Sequence, residues 1–322
     1  MKTERLHLFS RIKNKTTILV FGIMIAMFII SEIISPGFLQ YSHLESVVRQ
    51  AAFLGIVAIG QTFVILLGGI DLSVAAVITL SNVVAAQMMD GKDQNVFVTV
   101  IAVLLIGLAA GGLNGLGIRF LKIPPLIMTL GFSSVIQGIS LIYSKGAPKG
   151  ATSPFIEFVS TGRIGGTISG IIVIWIVLSA AAILILRRSI YGRSIYILGT
   201  NPVAARYSGI NITKITLLTY IISGVMSAIT GLLLVGYTGT SYLNVGDVYT
   251  MSSIAAVVIG GTAIVGGAGG YLGTIPGSLI MIVINSILTI VRIPESGRQI
   301  TQGVIILLIV LLFERRKNRE RA

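Results

Sequence analysis

The stretch GGIDLSVAAV, residues 68–77, puts one carboxylate, Asp71, at the middle of a tract from 51 to 89 that holds no other ionisable side chain. As one helix those 39 residues would run about 58 Å at 1.5 Å per residue, nearly twice the roughly 30 Å hydrocarbon core of a bilayer. The chain must therefore turn back. Gly68 and Gly69 can end the first helix by accepting positive φ, and Asp71 can accept backbone N–H groups at the start of a second helix from about Leu72. The tract reads as two membrane crossings joined by a tight turn, with Gly68, Gly69 and Asp71 as its cap and turn residues.

Composition supports a bilayer as the solvent. Of 322 residues 54% are hydrophobic and 11% charged, with a mean hydropathy of +0.95, whereas a soluble domain carries about 25% charge. The chain has no cysteine, so disulfide and thiolate chemistry are excluded, and its histidines, His7 and His43, lie outside the strongly apolar runs. A metal centre built on them is not expected. A net charge of +13 would suggest nucleic acid in a soluble protein, so where the charges fall decides its meaning.

The same length arithmetic predicts about ten spans, near 17–34, 51–68, 72–89, 96–117, 124–143, 168–186, 214–236, 251–266, 272–291 and 298–313. The first follows a basic segment but ends in SEIISPG, without a small-x-small cleavage pattern, and reads as an uncleaved span. With the N-terminus inside, 17 Lys and Arg fall on the cytoplasmic side and seven outside. That bias sets orientation and accounts for the positive charge without nucleic acid. The expected organisation is a basic cytoplasmic tail (1–16), one transmembrane domain (17–313) with a long cytoplasmic connection at 187–213, and a basic cytoplasmic tail (314–322).

Two patterns concern packing. Residues 251–290 repeat the layout of 51–89, an apolar run, a glycine cluster and another apolar run, but seven identities in 39 aligned positions are close to chance in a Gly, Val and Ile-rich chain. Gly107, Gly111 and Gly115 stand four apart, a spacing that lets helix backbones approach closely in lipid. It predicts tight helix contact, within the chain before between subunits.

Chemistry is sparse. No carboxylate pair, Cys/His cluster, Ser/His arrangement or GxxxxGK[ST] phosphate loop occurs, so the chain carries no constellation for a membrane enzyme and does not hydrolyse ATP by that route. Energy for active transport would enter through another polypeptide. Uncharged polar side chains within spans need a partner or a wet cavity, and Gln61, Thr62, Asn82 and Asn114 are the candidates for a translocation pathway. In the connection RRSIYGRSIYILGTNPVAARYSGINITK (187–214), Asn201 suits an N-cap, Pro202 the first helical position and Gly209 the residue past the end. Together they predict a short isolated helix near 202–208, of a kind that could sit in a groove on a cytoplasmic partner.

In GQTFVILLGGIDLSVAAV (60–77), LGTNPVAARYSGI (198–210) and SSIAAVVIGGTAIVGGAGGYLGT (252–274), three motifs in order with the expected number of spans, the chain resembles the ribose and galactose-type permeases of bacterial ABC sugar importers. The resemblance implies an all-α fold similar to the vitamin B12-type importers, in the bacterial inner membrane, with both termini cytoplasmic. It further implies a second permease copy or homologue, a cytoplasmic ATP-binding subunit that uses ATP and Mg, and a periplasmic or lipid-anchored sugar-binding protein, with no cofactor held by this chain. By the same resemblance Gly199, Asn201, Ala204, Ala205, Ser208 and Gly209 fall on the segment that couples to the ATPase, and the outer loop at 144–167 is a surface for the binding protein. The competing expectation is a secondary transporter or channel with Asp71 as its ion or proton site. It requires Asp71 well inside the membrane, whereas span counting puts it at the inner turn.

Overall fold

The computed structural model describes residues 2–294, 296–304 and 307. The chain is an all-α membrane protein. Its helices in order are α1 (Lys2–Ile34), α2 (Tyr41–Leu66), α3 (Val74–Met89), α4 (Val96–Phe120), α5 (Pro125–Ser144), α6 (Pro154–Thr161), α7 (Gly170–Arg188), α8 (Ile190–Thr200), α9 (Pro202–Tyr207), α10 (Ile212–Thr238), α11 (Asp247–Ile259) and α12 (Tyr271–Ile290). Residues 296–304 are also helical. The two-residue strands β1 (Arg163–Ile164) and β2 (Ile168–Ser169) form an antiparallel hairpin after α6.

Among the described residues seven segments, carried by α1, α2, α4 with the turn before it, α5, α7, α10 and α12, are long and apolar enough to cross a membrane. The predicted spans at 72–89 and 251–266 instead contain α3 and α11, of 16 and 13 residues, about 24 and 20 Å long and too short to cross alone. Half of the predicted span at 298–313 lies outside the described residues.

The hairpin that opens the sequence is asymmetric. Its first arm begins at Tyr41 rather than 51, making α2 a 26-residue helix. The sequence misleads here because Glu45 and Arg49 look like a polar connection. In the fold Glu45 accepts from Arg49 at 2.7 Å and from Arg163 at 2.6 Å, so its charge is neutralised where the helix enters the bundle.

The centre is built from α2 and α10. Every residue of α2 from Ala51 to Leu66 is buried, whereas α1 and α5 expose apolar side chains such as Ile18, Ile33, Ile127 and Ile142, the inside-out arrangement a hydrocarbon solvent permits. Helix α10 packs on α2, α3 and α4. The glycine series of α4 meets it directly: a Cβ at Gly107 would lie 2.6 Å from the Gly224 carbonyl oxygen, and one at Gly111 would strike the Tyr220 carbonyl oxygen. The close contact expected from the spacing is made inside the chain, with Gly224 and Ala228 as the small residues that α10 presents to α4.

A second knot fixes α7 and α12 to α2. The Tyr271 hydroxyl accepts from Trp175 Nε1 at 2.8 Å and donates to the Gly55 carbonyl at 2.9 Å. Gly55 must lack a side chain because the Trp175 ring occupies the space a Cβ would take.

Candidate functional site

Two helix-breaking loops meet inside the bundle. After α2, Gly68 adopts φ +86° while its N–H and that of Gly69 bond back to Ile65 and Val64, a left-handed termination that only glycine enters without strain. After α11, the chain runs irregularly through 260–270, with Gly261, Gly266, Gly267, Gly269 and Gly270 all at positive φ. The loops join backbone to backbone, Gly267 N–H donating to the Leu66 carbonyl at 2.9 Å.

The C-terminal turn of α8 closes over this junction. A Cβ at Gly199 would overlap the Leu66 carbonyl oxygen and lie 2.7 Å from Gly267 N, and one at Gly267 would lie 2.9 Å from the Thr200 Cα. Tyr196 Oη donates to the Gly269 carbonyl at 3.0 Å. Burial raises the Tyr196 hydroxyl above its ordinary pKa, against a smaller opposing influence from Arg187, so it stays a neutral donor. Sequence reasoning missed α8 and Tyr196. The glycine at 199 is visible in the sequence, but its partners, Leu66 and Gly267, lie 133 and 68 positions away.

α9 follows at once, close to the span the sequence predicts. Asn201 caps it, its Oδ1 accepting from Val203 N–H and Ala204 N–H at 3.0 Å each. At the other end Gly209 takes φ +74° past the Ser208 cap, and Ile210 N–H bonds back to the Ala205 carbonyl. Ala205 is fully buried against Leu198, Ile195 and Ile215. Ala204 is exposed, and Val203 and Tyr207, one turn apart, are 64% and 89% exposed. Of the six residues expected to couple, Gly199 and Ala205 thus face the bundle, Asn201, Ser208 and Gly209 shape the ends of α9, and Ala204 lies on its outer side. The outward apolar pair, Val203 and Tyr207, was not among them.

Asp71 is fully enclosed. The sequence makes it the cap of a helix starting at Leu72, but α3 begins at Val74 with Ser73 in the cap position and no side-chain cap bond. Asp71 Oδ1 instead accepts from Ser73 N–H at 2.9 Å and Ser73 Oγ at 2.6 Å, and Oδ2 accepts from Ser223 Oγ at 2.7 Å. Asn114 Nδ2 donates to Ser73 Oγ at 2.8 Å. One carboxylate therefore ties the α2–α3 loop to α4 and α10. Ser223 lies eleven residues into α10, about 16 Å along its axis, so Asp71 sits deeper than a surface turn.

The four polar pathway candidates are all buried, and their surroundings differ. Thr62 shares a contact of 3.0 Å with Thr274 on α12. Asn82 donates to the Gly231 carbonyl at 3.2 Å, eight residues, or about 12 Å, beyond Ser223 on α10. Asn114 belongs to the Asp71 network. Gln61 has no hydrogen-bond partner for either amide atom among the described residues. It shares a helix face with Ala58 and Ile65, which pack on Ile254, Val257 and Val258 of α11.

Among the described residues no group of His, Asp and Glu is placed to hold a metal. What the geometry offers is mechanical: a short exposed helix wedged, through Gly199 and Tyr196, onto the two loops that interrupt the central helices.

Residues 43–312 match the family described as branched-chain amino acid transport system / permease component. The chain belongs to this family. Among its curated relatives, the ribose import permease protein RbsC of Haemophilus influenzae is 36% identical over 295 residues, covering 89% of this chain and 90% of the relative. RbsC of Bacillus subtilis is 35% identical over 304 residues, covering 92% of each. The galactose/methyl galactoside import permease protein MglC of Escherichia coli K12 is 31% identical over 323 residues, covering 93% of this chain and 96% of the relative. No solved structure matches the chain. As a transport-system permease component, the chain is a multi-pass membrane protein and a transport subunit.

Proposed function

We propose that this chain is the membrane subunit of an ATP-driven importer of a monosaccharide, ribose or a close relative. The observation that carries the reading is α9, an exposed apolar helix held against the two loop interruptions, in a chain whose relatives over nine-tenths of its length are named as sugar import permeases. ATP and Mg are bound by a separate cytoplasmic subunit, whose groove receives Val203 and Tyr207. When a pair of such subunits closes, α9 shifts, and α8 passes the movement through Gly199 and Thr200 to the junction of Leu66 with Gly267. Nucleotide shifts the permease between inward- and outward-facing states only by binding them differently.

The full assembly in this reading has two permease chains, two ATP-binding subunits and a periplasmic or lipid-anchored receptor that delivers the sugar. The topology is ten segments with both ends cytoplasmic, in an arrangement similar to the vitamin B12-type importers and placed in the bacterial inner membrane. α3 and α11 then serve as crossings completed by the buried loops beside them. The charge bias of the connections supports this orientation.

Amino acid cargo, suggested by the family's description, is disfavoured by the scarcity of ionic groups inside the bundle: a zwitterion leaves water at high cost unless its charges are paired. The depth of Asp71 favours a second reading, ion- or proton-coupled transport. One reconstitution separates them. Liposomes holding the permease, its ATPase and a loaded receptor should accumulate labelled D-ribose only with ATP inside the catalytic compartment. Accumulation by the permease alone, driven by a proton or sodium gradient, would overturn the ATP-driven reading.

A further inference from the structure

One cavity stands apart from the α8–α9 junction and from the Asp71 network. It lies between α2, α11, α12 and the helix at 296–304, has a volume of about 170 Å³, and is lined by Gln50, Tyr249, Ser252, Asn285, Arg298 and Gln302. In a bundle whose interior is almost bare of strong polar groups, six such side chains from four elements converge here.

Their chemistry selects a class of ligand. Among the described residues no carboxylate lines the cavity, which disfavours a cation. The one charged group, Arg298, already donates to Thr289 Oγ1 at 2.7 Å. The remaining polar groups are neutral amides and hydroxyls, able to donate and accept alternately. Gln302 organises them: its Nε2 donates to Asn285 Oδ1 at 3.2 Å and its Oε1 accepts from Ser252 Oγ at 3.4 Å. The Asn285 NH₂ keeps its donors free among the described residues. Leu54, Ile282 and the Tyr249 ring add apolar surface to the same lining. A neutral solute with hydroxyls on its edge and C–H groups on its face suits such a lining, since small-molecule pockets pair apolar walls with a few directed polar groups.

The cavity lies toward the end of the bundle where α2 and α11 begin and α12 finishes. In the topology proposed above that is the outer half.

We propose that this cavity is a monosaccharide-binding site contained within one permease chain, occupied by the sugar after it leaves the receptor. The assignment rests on the sugar-import reading, and the test keeps the two apart. The chain has no cysteine, so a single Asn285→Cys variant carries one reporter thiol, and Ser252→Cys, nearly isosteric, carries another in case the first does not fold. With the assembled transporter in liposomes, a membrane-impermeant thiol reagent is applied from outside, without sugar and with saturating D-ribose, D-galactose or D-fructose. At least one sugar should slow modification several-fold, with no effect on a control thiol at Gln94→Cys, exposed in the connection between α3 and α4. Adding Gln302→Ala should raise the concentration needed for protection about tenfold, the effect of losing one directed hydrogen-bonding group. If no sugar protects either thiol the site is overturned, whether or not the liposomes import sugar. If inorganic phosphate protects and sugars do not, the cavity is an anion site at Arg298 and the proposal also fails. ATP-dependent uptake, measured in the same liposomes, tests the import reading separately.

Discussion

Gly199 and Leu66 touch through their backbones: the Leu66 carbonyl oxygen occupies the place where a side chain at 199 would begin. The contact joins the segment that leads into α9 to the end of α2, buried throughout from Ala51 to Leu66, and in the proposed mechanism movement of α9 reaches α2 through it.

Gly199→Ala should therefore weaken both packing and transport. The added methyl group must push α8 away from Leu66 and Gly267, and overpacking of this kind costs about 1–3 kcal/mol. A thermal melt of the purified permease should show the loss, and ATP hydrolysis by the assembled transporter should fall out of step with sugar uptake. Unchanged coupling in a destabilised variant would make the contact purely structural.

The two sides of α9 should respond oppositely. Val203→Asp and Tyr207→Asp change exposed positions and should alter stability by no more than about 0.5 kcal/mol while abolishing co-purification with the ATPase subunit. Ala205→Glu buries a carboxylate without a partner and should cost several kcal/mol, about 3 or more, lowering the amount of folded protein before any effect on coupling can be read.

At Asp71, substitution separates a positioning role from an ionic one. Asp71→Asn retains an oxygen that can accept from Ser73 or Ser223 and should cost about 1–2 kcal/mol while leaving uptake largely intact, whereas Asp71→Leu strands both hydroxyls and costs about 2–4 kcal/mol. Complete loss of uptake in a fully abundant Asp71→Asn protein would favour ion coupling.

Glu45 anchors the hairpin of β1 and β2 to α2 through Arg163, itself half exposed. Glu45→Ala should destabilise by about 1–2 kcal/mol, since solvent screens part of the pair. Raising salt should narrow the difference from the unaltered protein.

Much of this was legible in the sequence because bilayer thickness is a ruler. The spans at 96–117, 124–143, 168–186, 214–236 and 272–291 match α4, α5, α7, α10 and α12 to within a few residues, and Asn201, Pro202 and Gly209 mark α9. Failures came where tertiary partners change what a residue means. Glu45 and Arg49 read as a polar connection because Arg163, far away in sequence, is needed to neutralise Glu45. Asp71 read as a local cap because nothing near it indicates Ser223, although the small residues at 223, 227 and 231 carry the four-residue spacing seen at 107, 111 and 115. The tract 51–89 divides into equal arms by length alone, and nothing local reveals that the buried loops lie within the domain.

The bond from Gly267 to Leu66 uses only main-chain atoms. Side-chain replacement at Leu66 leaves both the donor and the acceptor in place, so it is burial in the core, and not this bond, that restricts the residue type there. Lengthening or shortening either loop by a single residue would misalign it. Indels, more than substitutions, are the changes that this part of the transporter cannot absorb.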